Sequence, residues 1–215
     1  MAATGRSVRK QRKPAPLITA LAAIILFGFI GQSALAQPRP DPRDEREQPG
    51  KVIEVTGVKP GMIIGEIGAA SGYFTFWLSW AVGHKGKIYA NDIKRSGLDD
   101  IDRRAADEWV TNIETVLGTV DDPRFPRGSL DMVFMINAFH EFERPIELLA
   151  NLLPSLKPGA TVVIQERDPV RSGSSSGHFL TQEKVAETIG RSVFELVRVE
   201  TFLRYHNLYI LKART

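Results

Sequence analysis

The sequence predicts an α/β fold: a mostly parallel sheet with helices on both faces. Three observations carry that reading. From Gly50 onward, short apolar runs alternate with segments of helical spacing, the mark of βαβ units. The first such run, near Ile64, enters a turn of small residues that opens directly into a helix. Two strand-like runs then close the chain with only a short link between them. A parallel crossover needs a dozen or more residues, so the last strand can run antiparallel.

The elements follow in order. Val52 to Val58 reads as a short amphipathic helix, and Lys59-Pro60-Gly61 as a turn feeding the first strand, Met62 to Ile64. Tyr73 to Val82 has helical spacing. Lys87 to Ala90 is a second strand, ending at Asn91-Asp92. Leu98 to Val110 is a helix with Leu98, Ile101, Ala105 and Trp109 on one face. Ile113 to Leu117 is a third strand; Leu130 to Ile136, almost wholly apolar, is a fourth buried on both sides. Pro145 opens a helix through Leu153, a favoured place for proline. A second Lys-Pro-Gly turn, Lys157 to Gly159, precedes strand five, Thr161 to Gln165. Thr181 caps a helix ending at Gly190. Phe194 to Phe202 and Asn207 to Lys212 are the closing strands.

The most informative segment is Ile64 to Thr75, IGEIGAASGYFT. Small residues fall at every second position, Gly68, Ala70 and Gly72, two residues after the carboxylate Glu66. Small residues let a turn's backbone approach a ligand closely, and the N–H groups opening the helix point at that ligand. The spacing is not the G-x-G-x-x-G of dinucleotide sites. It resembles motif I of the class I S-adenosylmethionine-dependent methyltransferases, E/D-x-G-x-G-x-G, with Ala70 in place of the middle glycine. The resemblance extends element by element from Gly50 to the C-terminus. It implies a Rossmann-like, doubly wound, mostly parallel seven-stranded sheet with one antiparallel strand near the C-terminus, and S-adenosylmethionine as cofactor.

The same resemblance distributes roles. Glu66 faces the amino end of the methionine moiety; its other reading is a cap for the following helix. Gly68, Ala70, Gly72 and Tyr73 form the turn and helix start around the cofactor. Asp92 ends strand two, where a carboxylate can accept hydrogen bonds from both ribose hydroxyls; NAD enzymes place an acid similarly, so Asp92 reports a ribose. Gly118 to Asp122 follows strand three as the adenine loop. Val120 would pack on the ring and Asp121 meet its exocyclic amine; alternatively Asp121 and Asp122 form a turn with Pro123. Asn137 stands where strand four reaches the carboxyl edge of the sheet, the edge at which open α/β sheets bind ligands.

His140, three residues further on, is the candidate catalytic residue, a general base or a shaper of the pocket. Phe139 and Phe142 are core or pocket wall. Strand five leads into Gln165 to Asp168 and a Gly/Ser stretch, Ser172 to Gly177, read as a lid over the acceptor or an ordinary loop. His178, Glu166 and His140 have no tight ligand spacing, so no metal is expected.

The first residues set a context. Residues 1–16 hold Arg6, Arg9, Lys10, Arg12 and Lys13 and no acid; a 15-residue apolar run, Leu17 to Gly31, and Ala34-Leu35-Ala36 follow. Residues 1–36 read as a secretory signal peptide. The apolar run is short of the roughly 20 residues that span a bilayer, although an uncleaved anchor through residues 17–31 is the alternative. The whole chain has net charge +3; without five leader cations, 23 basic face 25 acidic residues, a balance of −2. Nucleic acid loses its electrostatic argument as a partner, and the membrane enters only through an uncleaved leader. With no cysteine, thiol nucleophiles, thiolate metal sites and disulfides are excluded. Residues 37–49, rich in Pro, Arg, Asp and Glu, read as a polar linker or mobile tether, with Arg43 or Arg46 able to fold over a ligand. Residues 50–215 form the methyltransferase domain.

The expected function is methyl transfer from S-adenosylmethionine to a small-molecule acceptor, by an exported protein, periplasmic or secreted. Two alternatives are a non-catalytic nucleotide- or S-adenosylmethionine-binding protein on the same fold and, less favoured, an NAD-dependent oxidoreductase. The leader reading has a direct check. N-terminal sequencing of the exported protein should begin at Gln37; a full-length product extracted from membranes would show an anchor instead.

Overall fold

A computed structural model describes residues 1–2, 37–174 and 177–214; the leader and its cleavage site lie outside the described residues. Seven strands form one sheet: β1 Ile63–Ile67, β2 Lys87–Asp92, β3 Ile113–Leu117, β4 Leu130–Ile136, β5 Leu156–Arg167, β6 Phe194–Glu200 and β7 His206–Ala213. Their spatial order is β3-β2-β1-β4-β5-β7-β6. β1 pairs in parallel with β2 and β4, β2 with β3, and β4 with β5. β7 lies antiparallel between β5 and β6. It is the one reversed strand, as the short link before it requires.

Among the described residues, seven α-helical segments accompany the sheet: α1 Asp44–Glu47, α2 Pro49–Thr56, α3 Tyr73–Val82, α4 Arg95–Asp107, α5 Pro145–Leu152, α6 Pro169–Ser172 and α7 Gln182–Gly190. The alternation of side chains along β4 assigns the layers. Met132 and Phe134 face Val52 and Ile53 of α2 and Phe74, Leu78 and Val82 of α3. Val133 and Met135 face Leu148, Leu149 and Leu152 of α5 and Val185 and Ile189 of α7. α4 closes against β2 through Leu98, Ile101 and Ala105, packed with Ala90 and Phe76. Each face of β4 is therefore dry, which is why its sequence is nearly all apolar.

α3, β3 and β4 have the limits read from the sequence, and Thr181 caps α7 by accepting from Lys184 N. The other elements are shifted at one or both ends, and three of them most tellingly. Trp109 is not on the buried face of α4. The helix ends at Asp107, Trp109 takes φ +56°, and its side chain is 88 % exposed. The left-handed residue turns the chain so that Val110 packs on the α4 cluster instead. β5 is longer than read, because the Lys-Pro-Gly turn is absorbed into the strand by a register shift opposite Leu130–Met132. β7 likewise begins at His206 and runs to Ala213.

A further difference concerns the arm at residues 37–49. Part of it is helical, and Glu47 is 3 % exposed. Its Oε2 accepts from Asn137 Nδ2 at 3.0 Å and from Gln165 Nε2 at 2.7 Å, with His206 Nε2 at 3.5 Å. Arg46 Nε binds the other oxygen at 2.8 Å. Tyr73 Oη donates to Asp44 at 2.9 Å, and the Arg43 guanidinium lies 3.9 Å above the Tyr73 ring. The segment is anchored on the ends of β4, β5 and β7 rather than tethered loosely. A buried donor left without its acceptor costs about 1–3 kcal/mol. Glu47→Ala strips the acceptor from both amides, and urea unfolding should show a loss of that order. A change below about 0.5 kcal/mol, the range of ordinary surface substitutions, would show that the arm is not part of the folded unit.

Candidate active site

The turn after β1 is built from repeated left-handed backbone. Gly68, Ala70 and Gly72 have φ of +76°, +49° and +87°. The β2 end holds this shape. Gly68 N and Ala69 N both donate to the carbonyl of Asn91 at 2.9 Å, and Ala70 N donates to Asp92 Oδ2 at 2.9 Å. Ala70 adopts a conformation that costs an L-residue about 1–2 kcal/mol, at the position where the resembled motif has glycine. Gly68 meets a steric demand within the protein as well as any demand of a ligand. A Cβ there would stand 2.5 Å from Cβ of Ala138, so the turns after β1 and β4 touch only because residue 68 has no side chain. A Cβ at Gly97 would meet the Ala70 carbonyl at 2.5 Å, which brings the start of α4 against the same turn.

Around this turn lies a cavity of about 680 Å³ at the carboxyl edge of the sheet. Of the residues read from the sequence, Gly68, Ala70, Asp92, Val120 and Asn137 line it. Asp92 spends one oxygen on the Ala70 amide and the other on Lys94 N at 2.8 Å; each keeps a lone pair for a ligand hydroxyl. Asn137 sits at φ +51° with its Nδ2 given to Glu47. Its Oδ1 is buried and has no hydrogen-bond partner.

Glu66, Gly72, Tyr73, Asp121 and His140 are not among the lining residues. Glu66 is sealed beneath the turn, 2 % exposed, where Thr75 Oγ1 of α3 donates to it at 2.5 Å. That ties the strand end to the following helix, the other of its two readings. Gly72 precedes α3 as its left-handed cap and faces Ile101. Tyr73 turns to Asp44 of the arm. Asp121 accepts from Thr119 Oγ1 at 2.8 Å and pairs with Arg144 at 3.3 Å, so it organises its own loop. Asn91 reinforces that loop by donating to the carbonyls of Val116 and Pro123.

The cavity also uses residues that the sequence reading did not single out. Ile93 is half exposed yet lines the cavity beside Asp92; an apolar residue directly after the strand-end carboxylate was its only signal. Thr119, Leu148, Glu141 and Glu143 line it as well, and so does Phe142, which the sequence reads as core or pocket wall. His140 stands behind this wall. Its Nδ1 is 2.8 Å from Glu166 Oε2, its backbone N donates to Glu166 Oε1, and its ring packs edge-on against His178 and Phe179. Burial disfavours charge on His140, but the carboxylates of Glu166 and Glu141 outweigh it and raise its pKa. The approach to the Ser172–Gly177 stretch is anchored: Asp168 caps α6, and Arg171 donates to the carbonyls of Leu203 and His206 and to Asn207 Oδ1. Residues 175 and 176 lie outside the described residues.

Burial lifts the Glu66 pKa from 4.5 to about 8, with Thr75 opposing and Asp92 adding to the rise. The folded state thus holds its proton longer than the unfolded chain does. The stabilising contribution is complete below about 4.5 and is lost as pH rises through about 8. Across that window one group changes stability by at most about 1.4 kcal/mol per pH unit. Glu66→Gln removes this titration. Urea midpoints of wild type should fall relative to the variant between about pH 5 and pH 8; parallel curves would show that Glu66 is ionised in the fold throughout.

Comparison with known proteins agrees with this geometry. The family model described as a methyltransferase domain matches residues 64–159, from β1 into β5. The crystal structure of a SAM-dependent methyltransferase from Aquifex aeolicus superposes with a TM-score of 0.74 at 25 % identity, covering 80 % of this chain and 93 % of that one. The ubiquinone/menaquinone biosynthesis C-methyltransferase UbiE of Shewanella piezotolerans is 27 % identical over 115 residues, 53 % of this chain and 46 % of that protein. The demethylmenaquinone methyltransferase of Lactococcus lactis is 28 % identical over 116 residues, 54 % and 46 %. The chain thus spans just under half the length of these curated relatives. Sheet order, turn and matched segment agree: residues 64–159 are similar to a methyltransferase domain, and the fold is similar to that of an S-adenosylmethionine-dependent methyltransferase.

Proposed function

We propose that this chain transfers the methyl group of S-adenosylmethionine to a small-molecule acceptor, and that it does so as an exported protein. The observation that carries the first part is that one cavity at the carboxyl edge is lined by both Asp92 and Asn137 beside the small-residue turn. They suit the two ends of the cofactor that hydrogen-bond differently. Asp92 would accept from ribose hydroxyls, and Asn137 would stand at the methionine end. Ile93 and Val120 supply apolar surface for the adenine.

When bound, the cofactor supplies a methyl group already activated on a sulfonium. The chain then has to hold an acceptor in line with it at about 3–3.5 Å and keep water out. Phe142 offers an apolar face for that, and Glu141 and Glu143 add negative charge at the same part of the wall. His140 is placed to support the wall through Glu141, whose Oε1 is 3.3 Å from its Nε2. A small acceptor is supported by the limited volume and by the curated relatives, whose names refer to quinone biosynthesis. Export is supported by the basic start, short apolar run and Ala-x-Ala site of residues 1–36.

The test is a calorimetric titration of the purified chain with S-adenosylmethionine, S-adenosylhomocysteine and NAD. The two sulfur nucleosides should bind and NAD should not. Asp92→Ala should weaken S-adenosylmethionine by about 1–3 kcal/mol, the scale for unpaired polar partners, with circular dichroism unchanged. Preference for NAD, or full affinity in a folded Asp92→Ala variant, would remove the reading.

A further inference from the structure

The carboxyl edge of the sheet brings together three side chains that the cofactor reading does not use. His140 Nε2 is 3.3 Å from Glu141 Oε1, and His178 Nε2 is 3.2 Å from the same oxygen. All three donor groups lie within 4.8 Å of one another. They come from the turn after β4 and from the loop before α7, so their sequence spacing, 140, 141 and 178, hides the cluster. We propose that His140, Glu141 and His178 form a binding site for a divalent transition-metal ion of the zinc class.

Three features carry this. The first is donor chemistry. Two imidazoles and one carboxylate form a set that zinc and its neighbours accept, and that leaves a further position open. The second is spacing. Donors about 2.0–2.2 Å from a tetrahedral ion stand roughly 3.3–3.6 Å apart. Two of the three donor separations, 3.3 and 3.2 Å, are already close to that value. The third closes by a swing of the His178 ring, whose side chain is 52 % exposed and so has room to move.

The third feature is the support behind the donors. Glu166 is 1 % exposed, and its Oε2 is 2.8 Å from His140 Nδ1. With the proton on Nδ1 held by that carboxylate, Nε2 carries the lone pair and faces the cluster. A carboxylate behind a histidine is the arrangement that orients metal-binding imidazoles and raises their basicity. Glu166 is fixed in turn, accepting His140 N through Oε1. An ion pair between His140 and Glu141 alone would need no such buried second carboxylate. Glu141 also lines the cavity, so an ion here would stand beside the wall assigned above to the acceptor. The proposal concerns metal affinity and holds whether or not methyl transfer is the reaction.

The test uses the full, untagged chain after chelator treatment. Zn²⁺ is titrated by calorimetry and Co²⁺ by visible absorption, whose intense d–d bands mark a low-coordinate site. The expected result is one-to-one binding of both ions and a competition of Zn²⁺ for the Co²⁺ bands. His178→Ala and Glu141→Gln should each abolish the Co²⁺ bands. Glu166→Gln should weaken Zn²⁺ by about 10–100-fold, the usual loss when a supporting partner is removed. S-adenosylhomocysteine affinity, measured on every variant, shows that each is folded; for His178→Ala it should match wild type. Absence of one-to-one binding in the wild-type chain overturns the proposal. So does binding that survives in folded His178→Ala and Glu141→Gln. Cofactor binding without metal binding sinks this inference and leaves the methyl-transfer reading standing; the reverse result sinks only the latter.

Discussion

The hydrogen bonds between the turn after β1 and the end of β2 are what the site depends on. Three consecutive amides, at Gly68, Ala69 and Ala70, are bound by the carbonyl of Asn91 and the carboxylate of Asp92. A turn with left-handed residues at 68, 70 and 72 does not hold itself. It is held because the parallel register sets Ile67 beside Asn91, so that β2 ends where the turn begins. The approach of β1 and β4 then demands Gly68 against Ala138, and the approach of α4 demands Gly97 against Ala70. The cavity is the space left when these contacts are made. Asp92 is thus structural and ligand-facing at once, and the two roles use different lone pairs of the same oxygens.

A second constraint is the amount of buried polarity at the carboxyl edge. Glu47, Asn137, Gln165, Glu166, His206 and Asn207 are buried or half-buried within the ends of β4, β5 and β7 and the segments beside them. Groups removed from water need partners, and most of these satisfy one another. Glu47 takes the Asn137 and Gln165 amides; Glu166 takes His140; Asn207 takes Arg171 and Asp168. Burial lowers the His206 pKa, the nearby Glu47 carboxylate opposes it, and the Arg46, Arg167 and Arg171 cations add to the fall. A network of this kind specifies one arrangement of the edge because each member's partner is fixed by another. Within this network Asn137 Oδ1, Gln165 Oε1 and His206 Nδ1 are buried without a hydrogen-bond partner.

The parts legible in the sequence are those fixed by local pattern. β4 was readable because both its faces are dry, α3 because small residues and an apolar run abut, and Asp92 because a strand ends in an acid. The reversal of β7 followed from the length of a link. What was not legible depends on partners far along the chain. Trp109 fits the α4 period, yet the helix stops two residues earlier and the ring points outward. Residues 37–49 have the composition of a tether, yet Glu47 is drawn inward by amides 90 and 118 residues away. Glu66 matches the motif, but only the fold shows that Thr75 reaches it first.

The two ends of the cavity differ in how they are made, and this explains why one could be read and the other could not. The cofactor end is largely backbone: left-handed turns, amides on a strand end and a few side chains at strand tips. Backbone geometry demands particular residue types, glycine above all, so it leaves a spaced motif. The other end is made of side chains from the turn after β4 and from α5. Any residue of suitable chemistry can be delivered there by several loop conformations, so Glu141 and Phe142 leave no spacing to recognise. On the proposed reading, the acceptor would be chosen at that second end. Specificity therefore resides where the sequence pattern is weakest, and it has to be argued from distances: Glu141 between two imidazoles, and Glu166 behind one of them.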